Sequence, residues 1–110
     1  MSFKVKTTPD FNKGVKRIAK KHKSILESVL KLIDDLELNP TLGTPLGQNL
    51  YKIRLAVSGT NKGKSGGARV ITYVVVTNEV VILTEIYLKS EQDSFDNDRL
   101  IERLKDNGLI

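Results

Sequence analysis

Near the middle of this chain the spacing of apolar residues shifts from the helical period of about 3.6 to the strand period of 2, which demands a fold that joins helices to a sheet. Phe11, Val15, Ile18 and Ala19 recur at helical spacing. After a polar stretch over 20–24, Ile25, Val29, Leu32, Ile33 and Leu36 form a second helical set. A helical hairpin or one bent helix satisfies both. Beyond residue 50, segments 51–57, 68–76 and 79–88 are rich in β-branched and aromatic residues and read as three consecutive strands.

Local signals set the boundaries. Phe3, Val5 and Thr7 alternate with Ser2, Lys4 and Lys6, as in a short strand with one buried face. Thr8-Pro9-Asp10 then supplies a capping hydroxyl, a proline suited to the first helical position and an acid at the positive end of the helix dipole. Asn39-Pro40 stops the helices, and residues 41–49, with Gly43, Pro45 and Gly47, read as a loop. Thr77-Asn78 predicts a tight turn between the last two strands, whereas residues 58–67 carry four glycines and two lysines and predict a mobile loop. Ser94 or Asp96 can cap a last helix with Leu100, Ile101 and Leu104 on one face and Gly108 at its end. The expected order is β-α-α-β-β-β-α. This is an α+β domain over residues 1–110, with a small antiparallel-type sheet and an N-terminal helical hairpin packed on one face. A chain of 110 residues suffices for one such core.

Composition narrows the chemistry. Eighteen Lys plus Arg against thirteen Asp plus Glu give a net charge of +5, which favours polyanionic partners. The chain has no cysteine, which removes disulfides and thiolate chemistry and suits a reducing compartment. His22 is the only histidine, so a zinc site would lack its usual nitrogen and sulfur ligands. Residues 1–6 mix charged and apolar side chains and have no signal-peptide core, and no apolar run is long enough to span a bilayer. A soluble cytoplasmic protein without metal, cofactor or membrane partner is expected.

Alternation across strands sorts the charges by face. Tyr51, Ile53, Leu55 and Val57 point toward the helices and Lys52 and Arg54 away from them. Val70, Thr72, Val74 and Val76 point in, while Arg69, Ile71 and Tyr73 point out. Val80, Ile82, Ile86 and Leu88 form the buried set of the last strand, opposite Glu85, Tyr87 and Lys89. The exposed face then combines Lys52, Arg54, Arg69 and Lys89 with Tyr73, Tyr87 and Glu85. Cations beside aromatic rings suit single-stranded nucleic acid, because the cations pair with phosphate and the rings stack on unpaired bases. The solvated side of an antiparallel sheet accounts for the same charges. Lys13, Lys16, Arg17, Lys20, Lys21 and Lys23 are likewise either a contact surface for ribosomal RNA or a solvated helix face.

Other candidate motifs carry no chemistry. The segment Gly59-Thr60-Asn61-Lys62-Gly63-Lys64-Ser65 is one residue short of a P-loop between its glycines and leads into a strand where the motif needs a helix. His22 has no second histidine nearby and reads as a solvated or helix-ending residue. Glu91, Asp93, Asp96 and Asp98 are explained as acids near the positive end of the last helix.

Three stretches resemble the RelE/HigB toxins of type II toxin-antitoxin systems. They are the basic helical hairpin ending in Asn39-Pro40 with Leu46-Gly47 beyond it, the strand Tyr51-Lys52-Ile53-Arg54, and the run from Lys64 to Ile71 followed by Tyr73. The resemblance extends over nearly the whole chain. It implies a ribosome-dependent endoribonuclease that cuts mRNA in the A site without a metal, by attack of a ribose 2′-hydroxyl on the adjacent phosphate, and that is silenced by a cognate antitoxin protein. On this resemblance Lys52 and Arg54 orient the backbone and activate the hydroxyl, and Arg69 stabilises the charge of the transition state. Lys89 stands where many members have an arginine near the leaving oxygen. Phe95 stands near a stacking tyrosine, and Tyr73 and Tyr87, with Lys62 and Lys64 of the glycine-rich loop, complete the RNA-binding set. Phe95 can stack but cannot donate a proton, so the acid is Tyr73 or Tyr87, a lysine, or absent. A lysine acting as base at neutral pH needs its ammonium destabilised, and clustered cations do this by like-charge repulsion.

Two other functions fit the same fold. ParE-like toxins share it and poison DNA gyrase, and a non-catalytic member would bind only RNA or an antitoxin. The Lys52, Arg54 and Arg69 constellation argues against the gyrase inhibitor, because function resides in the site and not in the fold.

Overall fold

The computed structural model describes residues 3–57, 67–91 and 96–108. Its elements are β1 (Lys4–Thr7), α1 (Pro9–Ala19), α2 (Ile25–Leu38), β2 (Thr44–Gly47), β3 (Leu50–Leu55), β4 (Ala68–Val75), β5 (Val80–Leu88) and α3 (Asn97–Asp106). The strands form one five-stranded sheet in the order β1-β5-β4-β3-β2. Pairing is antiparallel throughout β2 to β5, whereas β1 lies parallel to β5 and makes the sheet mixed. The α+β expectation holds, and the helices before Asn39 form a hairpin of two helices. Residues 41–49, expected as a loop, contain the short edge strand β2. Its signal was hidden by Pro45 and Gly47, which are tolerated at a sheet edge but not in a central strand.

The hairpin packs on one sheet face through the residues its periodicity selects. Phe11, Ile18, Ile25, Val29, Leu32 and Leu36 are buried against Ile53, Val57, Val70, Val74, Val81, Leu83 and Ile86. Gly14 lets α1 approach β5 closely, since a Cβ there would lie 2.7 Å from Cγ2 of Ile86. The Thr8 side chain caps α1 by accepting from the Phe11 amide, with Pro9 at the first helical position.

The opposite sheet face is not wet along its length. Helix α3 lies over it and buries Leu50, Ile71, Tyr87 and Leu100 in a second, smaller core, with Leu46, Tyr73 and Ile101 at its margin. Asp96 caps this helix by accepting from the amides of Asp98 and Arg99, and Gly108 follows its end at φ 71°.

The buried set of β5 also departs from simple alternation. Ile71 pairs with Glu85 and Thr72 with Leu83, so Thr84 is an extra, bulged residue. The bulge reverses the phase of the strand. Val81 and Leu83 join the hairpin-side core, where Val80 and Ile82 were expected, and Ile82 is buried outside that core. Val76, expected inside, lies in the turn after β4 and is 68% exposed. No helix among the described residues is long and apolar enough to cross a membrane.

Candidate functional site

The charged residues singled out in the sequence meet on the α3 face of the central strands. Arg54 of β3 lies directly opposite Arg69 of β4, which lies opposite Tyr87 of β5. One step along, Lys52, Ile71 and Glu85 form the adjacent row. Neighbouring strands are about 4.8 Å apart, so each row places its side chains within reach of one ligand. Lys89 follows Leu88 at the end of β5, where its amide donates to the Gly67 carbonyl at 3.0 Å. Arg54, Lys52, Arg69 and Lys89 therefore gather at one end of the sheet.

Their exposure differs from a uniformly wet face. Arg54 and Lys89 are exposed and Lys52 is half-buried, but Arg69 is only 4% exposed. One Arg69 guanidinium nitrogen, Nη1, donates to the Ala68 carbonyl at 3.3 Å. Tyr87, expected as an exposed stacking ring, is 2% exposed within the second core. Tyr73 is half-buried beside that core, opposite Leu50 and Ile82. For the two tyrosines the reason is the last helix. The apolar stripe of Leu100 and Ile101 needs a partner surface, and the face bearing Ile71 and Tyr87 supplies it. Lys62, Lys64 and Phe95 lie outside the described residues.

Sequence reasoning missed the polar contacts that hold α3 in place. Arg103 donates from Nη2 to Glu85 at 3.0 Å and from Nη1 to Asp10 at 3.2 Å, which joins α3 to β5 and to the start of α1. At the other end of α3, the Asn97 side chain donates to the Leu46 carbonyl at 3.4 Å and the Gln48 amide to Asp98 at 3.5 Å. Gln48 and Asn49 both adopt positive φ, at 54° and 65°, as a tight β2–β3 hairpin requires. The only advance signal for the Arg103 contacts is its position one turn after Leu100, which places it on the same helical side.

The basic hairpin makes a separate surface. Arg17, Ile18, Lys20, Lys21 and His22 line a cavity of about 420 Å³ with Leu88, Ser90 and Glu91. Glu91, expected as a helix-end acid of α3, instead pairs with Arg17 at 2.7 Å. Among the described residues, no group of three or more His, Asp or Glu side chains is placed to hold a metal ion.

Chemically, the site offers an exposed guanidinium beside a buried one, a half-buried ammonium in the adjacent row and a tyrosine in line with both arginines. Such a line of cations is suited to a phosphodiester, with charge-assisted hydrogen bonds to its non-bridging oxygens.

The architecture is that of two solved structures. The chain is similar to the toxin RelE of E. coli, in the free state and with two arginines replaced by alanine, at 15% identity and a TM-score of 0.62, covering 94% of this chain and 99% of that one. It is also similar to a chain of the toxin-antitoxin complex RelBE2 from Mycobacterium tuberculosis, at 16% identity and a TM-score of 0.59, covering 80% of this chain and 99% of that one. No protein-family model matches the sequence, and no curated protein is similar enough to count as a relative. The domain thus has a RelE-like fold.

Proposed function

We propose that this protein is the toxin of a toxin-antitoxin pair and that it cleaves mRNA on the ribosome. The observation that carries the proposal is the row of Arg54, Arg69 and Tyr87 with Lys52 beside it, on one face of a RelE-like fold. Cleavage by a ribose 2′-hydroxyl needs a base, a cationic clamp and an acid. Arg54 at the rim makes the first contact with phosphate, and Lys52 serves as base or orients the 2′-hydroxyl. Arg69 stabilises the charge that builds on the phosphate, Lys89 stands near the leaving oxygen, and Tyr87 or Tyr73 supplies the proton.

The burial of Arg69 and Tyr87 adds a requirement. Neither reaches RNA until its cover opens, so binding and site assembly are coupled and the isolated protein is a poor nuclease on free RNA. Docking on the ribosome, to which the basic hairpin contributes Lys13, Lys16 and Lys20, provides the occasion for that opening. A cognate antitoxin, the class of partner named in the RelBE2 toxin-antitoxin complex, then silences this toxin by occupying its basic face.

The test is to add the purified protein to programmed ribosomes and map breaks by primer extension. Breaks within A-site codons, absent when the nucleotide 5′ to the break carries a 2′-deoxy sugar, are expected. Intact mRNA overturns the proposal. The same burial favours a second reading, in which Arg69 and Tyr87 are structural and the domain binds RNA, an antitoxin or DNA gyrase without chemistry. Inhibition of gyrase supercoiling by a protein that leaves mRNA intact would support it.

A further inference from the structure

We propose that Thr84 is a positioning residue for this site. Its hydroxyl holds the β-bulge that turns Glu85 and Tyr87 onto the face of Lys52, Arg54 and Arg69. The inference rests on the proposed reading of that face as an RNA-cleaving site.

Strand β5 has two tasks that plain alternation cannot reconcile. Val81 and Leu83 are buried beneath the hairpin, in the larger core. If the period of 2 continued, Glu85 and Tyr87 would follow them into that core, because phase decides the face of every later residue. The unpaired Thr84 resets the phase, so Ile86 enters the larger core while Tyr87 faces Arg69 and Glu85 shares a row with Lys52. No glycine marks the bulge. Its conformation is held by side-chain bonds.

Those bonds are specific. Thr84 is 2% exposed, and its Oγ1 donates to the Ile71 carbonyl at 2.9 Å. Ile71 is the residue between Lys52 and Glu85 in the second row and lies two residues from Arg69 on β4. The Thr84 carbonyl accepts from Oγ1 of Thr8 at 2.9 Å, and the Thr8 amide donates to the Leu83 carbonyl at 3.1 Å. Thr8, 3% exposed, is also the cap of α1. The bulge is thus clamped between β4 on one side and the start of the hairpin on the other. A valine at position 84 has nearly the shape of threonine but cannot donate, which leaves the Ile71 carbonyl without that partner and frees the bulge to shift.

The experiment compares Thr84→Val and Thr84→Ser with the wild-type chain in two measurements. The first needs no activity: the NMR signals of the Arg69 side-chain Nε–H and the Tyr87 ring report whether the row keeps its arrangement. Thr84→Ser should reproduce the wild-type signals, and Thr84→Val should move both. The second is cleavage on programmed ribosomes. Thr84→Val should lower kcat at least tenfold with KM within twofold, and Thr84→Ser should stay within twofold of wild type in both. Unchanged Arg69 and Tyr87 signals or unchanged kcat in Thr84→Val would overturn the proposal, as would a folded Thr84→Ser that loses either. If Thr84→Val does not fold, Thr84→Ser decides alone. Wild-type protein that cuts no mRNA would defeat the ribonuclease reading, and the NMR comparison would still establish or reject the positioning role.

Discussion

Arg54 and Arg69 stand directly opposite one another on adjacent strands, one exposed and one buried. Like charges in that arrangement repel, with Cβ atoms about 5 Å apart, and a ligand that brings negative charge to the pair relieves that repulsion. Lys52 in the next row adds to the same excess. A polyanion that bridges the pair therefore gains from both cations at once.

This repulsion predicts opposite effects on stability and activity. Arg54→Gln should raise the stability of the free protein by about 0.2 to 1 kcal/mol, the usual size of a cross-strand charge effect. It should also slow mRNA cleavage. Thermal melts and single-turnover cleavage of the same preparation check both, and a loss of stability would mean that Arg54 is favourably paired.

Salt should act on binding in the same sense. Affinity for mRNA-programmed ribosomes or for the antitoxin should fall as salt rises, because phosphate or carboxylate contacts release counterions. For RNA, Arg54→Gln should reduce the slope of log affinity against log salt by about 1. An unchanged slope would place Arg54 outside the contact.

Thr72 offers a cleaner test of packing. It is fully buried at 0% exposure, and its hydroxyl has no hydrogen-bond partner among the described residues. Thr72→Val keeps the shape and removes the orphaned group, so stability should rise by about 1 kcal/mol. A lower melting temperature would show that the hydroxyl is satisfied after all.

The attachment of α3 depends on few apolar contacts, chiefly Leu100 and Leu104, each 2% exposed. Leu100→Ala should loosen this helix before it unfolds the domain, since Leu100 belongs to the small second core and not to the hairpin core. Hydrogen exchange should accelerate in Asn97–Asp106 and at Ile71 while Phe11 and Ile18 stay protected. Uniform acceleration would mean that the two cores unfold as one.

Much of this was legible in the sequence. The hairpin residues from Phe11 to Leu36 follow a period that only a helix produces, and every one of the apolar positions it selects belongs to or packs on the larger core. The facing of Lys52, Arg54 and Arg69 followed from alternation in strands without irregularity. Three further features that escaped have clear physical reasons. Strand β2 contains a proline and a glycine and owes its existence to pairing with Leu50 to Lys52, which is tertiary information. The bulge at Thr84 inverted the phase of Val80 and Ile82 and has no glycine to announce it. The burial of Tyr87 follows from where α3 docks, and an amphipathic stripe states that a helix needs a partner without saying which sheet face provides it.

The central claim is tested most directly by single-turnover cleavage on programmed ribosomes with wild-type protein and Arg69→Ala, alongside ribosome binding and a melting curve for each. If Arg69 stabilises the transition state, its loss should cost about 2.7 to 4 kcal/mol, roughly 10² to 10³ in rate, while a folded variant binds nearly as well. Equal losses in binding and cleavage, or cleavage unaffected by the substitution, would contradict the account and leave Arg69 as a structural cation beneath Arg54.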